Sequence, residues 1–311
     1  MSYLLSFTFL FFCLGCFSQP TEGASRQPKT IDIIAPPGVS FGGETVIEPM
    51  LPIEELEMDH TTSAMPSRLN PRFAADAQVQ LPKVADLVPQ IDAYVKRLEK
   101  NLDDLDGSPR FIEDADTLHR DANALALIAL ALGLSQEENP YQKAAPVIIE
   151  AALKLETVKT FDDATKAMME LKRSLKADGD PTTLRWDKKV ASLSPIMKAV
   201  PNINTLVKRN LRTEAALKKG VRIAVEGAAV MAAIGQGSIP NLDETIKPDA
   251  AKEWTAHCIE FRDAALALNR AASDYEAEKG KFSAVQDAYE ALSDSCDSCH
   301  KLFYHGEIPE K

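Results

Sequence analysis

Aromatic residues and clusters of positive charge are both scarce in this 311-residue chain. Phe, Trp and Tyr together make up 6% of the residues, and the formal net charge is -11. Binding to a nucleic-acid phosphate backbone depends on clustered Lys and Arg, and no such cluster is present. Ala, Leu, Lys, Glu and Asp dominate after residue 80, which is typical of helices packed on helices. We therefore predict an all-α protein that does not bind nucleic acid.

Cysteine is also rare, and the five cysteines are not arranged as a disulfide framework. Cys13 and Cys16 lie near the start, and Cys258 falls inside a helical pattern, where we expect a small buried apolar residue. Apart from Cys13 and Cys16 in the predicted signal peptide, only Cys296 and Cys299 form a close pair. The chemistry of the chain is therefore expected at this pair.

One long apolar stretch is present, from Leu4 to Leu14. It is too short to span a bilayer as a helix, and its length fits an export signal, although no Lys or Arg precedes it. We predict a signal peptide at residues 1–16 and an extracytoplasmic, periplasmic location. Leu14-Gly15-Cys16 resembles the cleavage box of bacterial lipoproteins, so lipidation of Cys16 and ordinary cleavage nearby both stay open. A lipid on Cys16 would tether the protein to a membrane without spanning it.

Residues 17–79 hold eight prolines, many Ser, Thr and Gly, and no sustained helical period. This composition predicts a linker. From residue 80 the pattern becomes helical and occurs twice. Val88-Pro89-Gln90-Ile91 is matched 112 positions later by Val200-Pro201-Asn202-Ile203, and Phe161, Ala167, Leu171 and Ser174 are matched 121 positions later by Phe282, Ala288, Leu292 and Ser295. Matches in the same order indicate an internal duplication.

Each repeat holds about four helical patterns, the number that encloses a bundle core. We predict two tandem four-helix bundles, at residues 80–180 and 181–311. In the second repeat the helices are expected at 198–212, 213–235, 247–273 and 282–304. Pro89 and Pro201 are expected near the first turns of their helices, where a missing N–H costs little. The small residues of the second helix, among them Gly227, allow close approach of either a large planar cofactor or a neighbouring helix.

Cys296-Asp297-Ser298-Cys299-His300 is the pattern for covalent haem attachment. The two thiols add to the vinyl groups of haem, and the adjacent imidazole binds the iron. A Cys-x-x-Cys can also be a redox pair or half of a zinc site. The export signal, the adjacent His300 and the lack of a second ligand pair for zinc outside the predicted signal peptide favour one covalent haem c.

This motif near the end of the chain, in the fourth helix of a predicted bundle, resembles cytochrome c′ and its low-spin relatives. The resemblance covers residues 184–305 and assigns roles to Cys296, Cys299 and His300 only. It implies a haem inside the second bundle, against its first three helices. In the first repeat Leu175, Asp178 and Gly179 stand at the motif positions, so that repeat cannot attach haem in this way.

The resemblance leaves the sixth iron ligand open, because a Met from the first helix gives low-spin electron carriers and an apolar residue gives five-coordinate gas binders. Met197 is the candidate, since Ala85 occupies the matched position in the haem-less repeat. A role for Met197 as a flexible apolar filler stays equally open. Met231 is expected in the core, and His257 is expected at the surface or against a haem propionate before it is considered a ligand.

We therefore predict an exported mono-haem cytochrome c that carries electrons to or from a redox partner protein. A five-coordinate module that binds or senses NO or CO is the first alternative, and a haem-bearing interaction scaffold is the second. Catalysis is not expected, because no acid–base pair or nucleophile constellation is visible. For the haem-less repeat, the roles of spacer, docking platform and homodimer surface all stay open.

Overall fold

The computed structural model describes residues 79–304. The predicted signal peptide, Cys16 and residues 17–78 of the predicted linker lie outside the described residues. Residues 79–304 contain helices and no strand, which confirms the all-α prediction for this part of the chain. The α-helices are α1 Val84–Asp103, α2 Phe111–Asp114, α3 Asp116–Gly133, α4 Ala145–Thr157, α5 Phe161–Ser174, α6 Leu193–Asn210, α7 Glu214–Gly237, α8 Ala251–Glu276 and α9 Phe282–Phe303. No helix in this range is long and apolar enough to cross a bilayer.

The prediction that Pro89 and Pro201 lie in first turns is wrong. Helix α1 begins at Val84 and α6 begins at Leu193, so both prolines lie inside their helices. A proline there leaves the carbonyl four residues earlier, that of Ala85 or Met197, without its helical N–H donor. Both prolines are solvent-exposed, so that water can reach this side of each helix and the cost of the lost hydrogen bond is reduced. Because Pro201 was expected in the first turn, α6 was predicted to begin at residue 198. The helix begins at Leu193, so Met197 lies within it.

The long helices of each repeat pack in the same order but not equally tightly. In the first repeat α1 packs on α3, α3 on α4, α4 on α5, and α5 on α1, so the four helices surround one core. In the second repeat α6 packs on α7, α7 on α8, and α8 on α9. Helices α6 and α9 do not approach as closely as the matched pair α1 and α5. The second repeat is thus more open between its first and last helices.

Residues that match in sequence also occupy matching environments. Ile91 and Ile203 are both buried. Ser174 and Ser295 are both buried, and each hydroxyl donates a 2.7 Å hydrogen bond to the carbonyl three residues earlier in its helix. These sequence-matched positions therefore have the same local environment.

The two repeats share one hydrophobic core. Helix α3 packs on α6 and α7, and α1 packs on α7, so equivalent helices of the two repeats meet through equivalent surfaces. Residues 121–133 of α3 and residues 228–237 of α7 are buried without a break. A helix that is buried on every side requires neighbours all round, and here both repeats supply them.

Polar contacts link the repeats around this shared core. The Arg222 guanidinium lies 3.2 Å from the carboxylate of the buried Asp86, and the Asn269 side-chain amide donates to the same carboxylate at 3.1 Å. Lys198 forms an ion pair of 2.7 Å with Asp116. Because a buried carboxylate is costly unless it is paired, Asp86 specifies how α1 meets α7 and α8.

Candidate functional site

The Cys-x-x-Cys-His sequence forms the last turns of α9. Cys296, Cys299 and His300 are each half-buried, and the helix ends at Phe303. Cysteines three residues apart on a helix point to the same side. The His300 ring lies 5.3 Å from the exposed ring of Tyr304, so that the motif sits where the helix meets solvent.

Cys299 faces a small apolar cluster formed by Trp254, Cys258 and Phe303, with Leu193 packed against it. The Trp254 and Phe303 rings meet edge to face at 5.2 Å. The Trp254 indole N–H donates to the backbone carbonyls of residues 238 and 239, at 3.1 and 3.0 Å, which fixes the ring in place. Cys299 therefore packs beside two aromatic rings, those of Trp254 and Phe303, whose positions are fixed.

Burial raises the pKa of the Cys299 thiol to about 11, and the carboxylate of Glu260 adds to the rise. Redox-active cysteines of the Cys-x-x-Cys type work through a lowered pKa that keeps the thiolate populated. The environment of Cys299 does the opposite. The thiolate of Cys299 is therefore sparsely populated at neutral pH, whereas a thioether at this sulfur would carry no charge into the apolar cluster.

Helix α6 runs antiparallel to α9 and brings Met197 to the level of the motif. Its first-turn residue Leu193 packs with the cluster of Phe303, and farther along Tyr289 donates a 2.9 Å hydrogen bond from its hydroxyl to the Asn204 side-chain oxygen. Met197 lies seven residues before Asn204, and Cys296 lies seven residues after Tyr289. In an antiparallel pair these two positions stand at the same height, and both side chains are half-buried against the main core.

Met231 and the glycines of α7 lie in closely packed parts of the structure. Met231 is buried in the main core, as predicted. The glycine positions of α7 are occupied by neighbouring helices: a Cβ on Gly227 would lie 2.8 Å from Val207 of α6. Close helix packing, one of the two alternatives, therefore accounts for Gly227.

His257 lies on α8 at the same end of the molecule as the motif. Its ring is 6.0 Å from Phe303, and 16% of its side chain is exposed. Its Nδ1 atom lies 3.3 Å from the Glu260 carboxylate but makes no hydrogen bond there. A buried polar nitrogen with no hydrogen-bond partner is costly, so His257 is a candidate to contact a polar group of a ligand at this end.

Cys258 lies closer to the motif than its distance along the sequence indicates. Cys258 is buried, as predicted, but it also belongs to the same cluster as Cys299. The link between α8 and α9 spans only residues 277–281, and a short link between antiparallel helices fixes which residues stand opposite each other. Counting outward from that link would have placed Cys258 opposite Cys299.

The donor set fits a haem better than a zinc ion. In residues 79–304 no three His, Cys, Asp or Glu side chains are grouped to hold a metal ion, so the tetrahedral partners of a structural zinc are missing from this range. Two sulfurs and an imidazole lie on one helix end, a thioether side chain stands on the facing helix, and the two helices are less closely packed than their counterparts. Comparisons with protein-family models, curated proteins and solved structures found no match to the chain.

Proposed function

We propose that the chain is an exported mono-haem c-type cytochrome that transfers electrons. Cys296 and Cys299 would hold the haem by two thioether bonds, and His300 would bind the iron. The observation that carries the proposal is the position of Cys296, Cys299 and His300 on the last turns of α9, with Met197 on α6, a helix in less extensive contact with α9 than α1 is with α5. The matched helices of the haem-less repeat, α1 and α5, are in more extensive contact with each other.

The architecture under this proposal is two four-helix bundles fused through α1, α3, α6 and α7. Residues 80–180 would form the haem-less bundle and residues 181–311 the haem-bearing one, preceded by a leader and a linker. The first bundle supports this reading because its four long helices close into a ring. Its use would be to cover α6 and α7, since α3 is buried against both of them.

When bound, the haem supplies one-electron chemistry at an iron that alternates between the ferric and ferrous states. The protein side chains would set the conditions for that chemistry. Trp254 and Phe303 exclude water from the neighbourhood of Cys299, and a drier environment raises the reduction potential of a haem. Met197 would supply a sulfur as sixth ligand, and His257 would donate a hydrogen bond to a propionate. The exposed Leu302 and Tyr304 beside the motif would meet a redox partner protein.

Absorption spectroscopy of protein secreted from a cell with cytochrome maturation machinery tests the proposal. We expect a coloured protein whose haem stays attached after denaturation. The paired change Cys296→Ala with Cys299→Ala should abolish attachment while far-UV circular dichroism stays helical. Met168→Ala, at the matched face of the haem-less repeat, is the control and should keep the haem. A colourless wild-type product at the mass of the bare polypeptide would refute the proposal.

The spin state of the ferric protein tests the role of Met197. With Met197 bound we expect a low-spin spectrum with the far-red charge-transfer band of Met sulfur ligation, and Met197→Ala should remove that band. Met231→Ala is a matched control, because Met231 lies in the core of α7. A high-spin wild-type spectrum that changes on addition of CO would instead support the gas-binding alternative, with Met197 serving as an apolar filler.

A further inference from the structure

We propose that Cys258 is a second reaction partner of Cys299: the two thiols form a disulfide in the haem-free chain, and this disulfide prevents Cys299 from attaching haem. The part of the proposal that concerns haem rests on the proposed function. The pairing of the two thiols does not.

The register of α8 against α9 places the two cysteines opposite each other. The Trp254 and Phe303 rings are in contact at 5.2 Å, and the helices run in opposite directions across a short link. Cys258 lies four residues after Trp254, and Cys299 lies four residues before Phe303. Both thiols therefore lie about one helical turn from the contact between Trp254 and Phe303, and they stand opposite each other.

Burial places both thiols in one apolar environment. Cys258 is 5% exposed, and it forms the cluster on which Cys299 packs. Burial also raises the pKa of the Cys258 thiol far above its usual range, as expected for a sulfur enclosed by apolar side chains. Neither thiol is in a disulfide in the structure.

The two cysteines differ in access, and this difference gives an order of events. Cys299 is half-buried and Cys258 is buried. A disulfide such as glutathione disulfide would first react with Cys299 to form a mixed disulfide and release one thiol, and the Cys258 sulfur would then displace the second thiol. In total the two thiols lose two protons and two electrons, and the attacking disulfide is reduced to two thiols.

A disulfide at Cys299 would prevent haem attachment, because the thioether bond forms from a free thiol. Thioether formation adds the S–H of Cys299 across a vinyl double bond and requires no oxidant, but it does require a free thiol. A Cys258–Cys299 disulfide removes that thiol until a dithiol reductant returns two electrons and two protons. Haem attachment would therefore depend on prior reduction of a bond that joins Cys299 of the motif to Cys258 of α8.

Peptide mapping of the haem-free full-length chain tests the pairing. The chain is oxidised with glutathione disulfide, alkylated, and digested with trypsin without reduction. Cys258 falls in the tryptic peptide 253–262, whereas Cys296 and Cys299 share the peptide 282–301. We expect a cross-link between these two peptides. A disulfide confined to the peptide 282–301 would overturn the proposal.

Three single variants assign the cross-link to its sulfurs. Cys258→Ala and Cys299→Ala should abolish it, and Cys296→Ala should retain it. A cross-link that survives in Cys299→Ala would show that Cys296 is the partner and would overturn the assignment. Alanine is suited to position 258 because the buried thiol occupies an apolar environment, and circular dichroism checks that each variant folds.

Haem loading tests the consequence. After the same oxidation, wild-type protein should attach haem only when a dithiol reductant is added, whereas Cys258→Ala should reach the loading of reduced wild-type protein without it. Equal loading of oxidised wild-type protein and Cys258→Ala would overturn the inhibitory role of the disulfide. A cross-link together with no haem in any variant would leave the thiol pair standing and refute the cytochrome proposal.

Discussion

Helices α3 and α7 approach so closely that one added methyl group should be measurable. A Cβ built on Gly237, the last residue of α7, would lie 2.5 Å from the Leu127 Cδ2 atom and 3.0 Å from Cδ1. Leu127 is fully buried in α3, so its side chain has little room to move away. We expect Gly237→Ala to lower the free energy of unfolding by about 1–2 kcal/mol, because overpacking outweighs the small gain in helix propensity at a helix end.

Removing the obstructing side chain should relieve the clash. Leu127→Ala alone should cost about 3–5 kcal/mol, since α3 is enclosed on every side and the cavity cannot collapse. In the double variant the new methyl group at position 237 enters that cavity. We therefore expect the double variant to be about 1–2 kcal/mol more stable than the sum of the two single changes predicts.

Urea unfolding followed by far-UV circular dichroism measures all four free energies. Leu155→Ala provides the matched control, because Leu155 is equally buried but lies on α4, which does not pack on α7. Combined with Gly237→Ala, it should give additive losses. Additivity in the Leu127 pair, or a rise in stability for Gly237→Ala, would refute the close approach of α3 and α7.

Two further predictions concern the first repeat. Burial raises the pKa of Tyr94 from 10.0 to about 12, so the unfolded chain ionises first and the free energy of unfolding should fall between pH 10 and pH 12. The fall should be about 1.4 kcal/mol per pH unit, and Tyr94→Phe should remove this part of the slope in urea titrations. Asp121 is fully buried and lies 2.6 Å from Arg97 and 2.9 Å from Arg120. Asp121→Ala should cost about 3 kcal/mol, because it leaves Arg120 mostly buried without its anion, and a urea midpoint unchanged from wild type would contradict this.

Helical periodicity located α9 well, because its apolar residues recur on one face and its end follows directly from the Cys-x-x-Cys-His motif. The expected range of 282–304 compares with the observed Phe282–Phe303. The predicted start of α6 was wrong because a proline is tolerated inside a helix when it lies on the solvent-exposed face of that helix. The periodicity of apolar residues did not indicate that Pro201 lies on such a face. Exposure of Pro201 depends on how the helix packs.

The joining of the repeats was not predicted, although a signal was present. Residues Ala124 to Leu132 are all apolar, so this part of the helix is apolar on every side, which a single bundle does not require and a second layer of helices does. The position of Met197 opposite Cys296 also depended on a contact between distant parts of the chain, the hydrogen bond between Tyr289 and Asn204. No local pattern encodes that distance. Met197 was proposed as a ligand because the matched position of the first repeat, Ala85, has no sulfur.

The mutual burial of α3 and α7 has a consequence for a chain that has been cut. Proteolytic nicking at residues 175–180, between α5 and α6, would break one covalent connection and leave the large apolar contact intact. The two fragments should therefore elute together from a sizing column under native conditions, and fragments made separately should restore the fold when mixed. The two halves of this chain would behave as the subunits of a heterodimer whose linking peptide is dispensable.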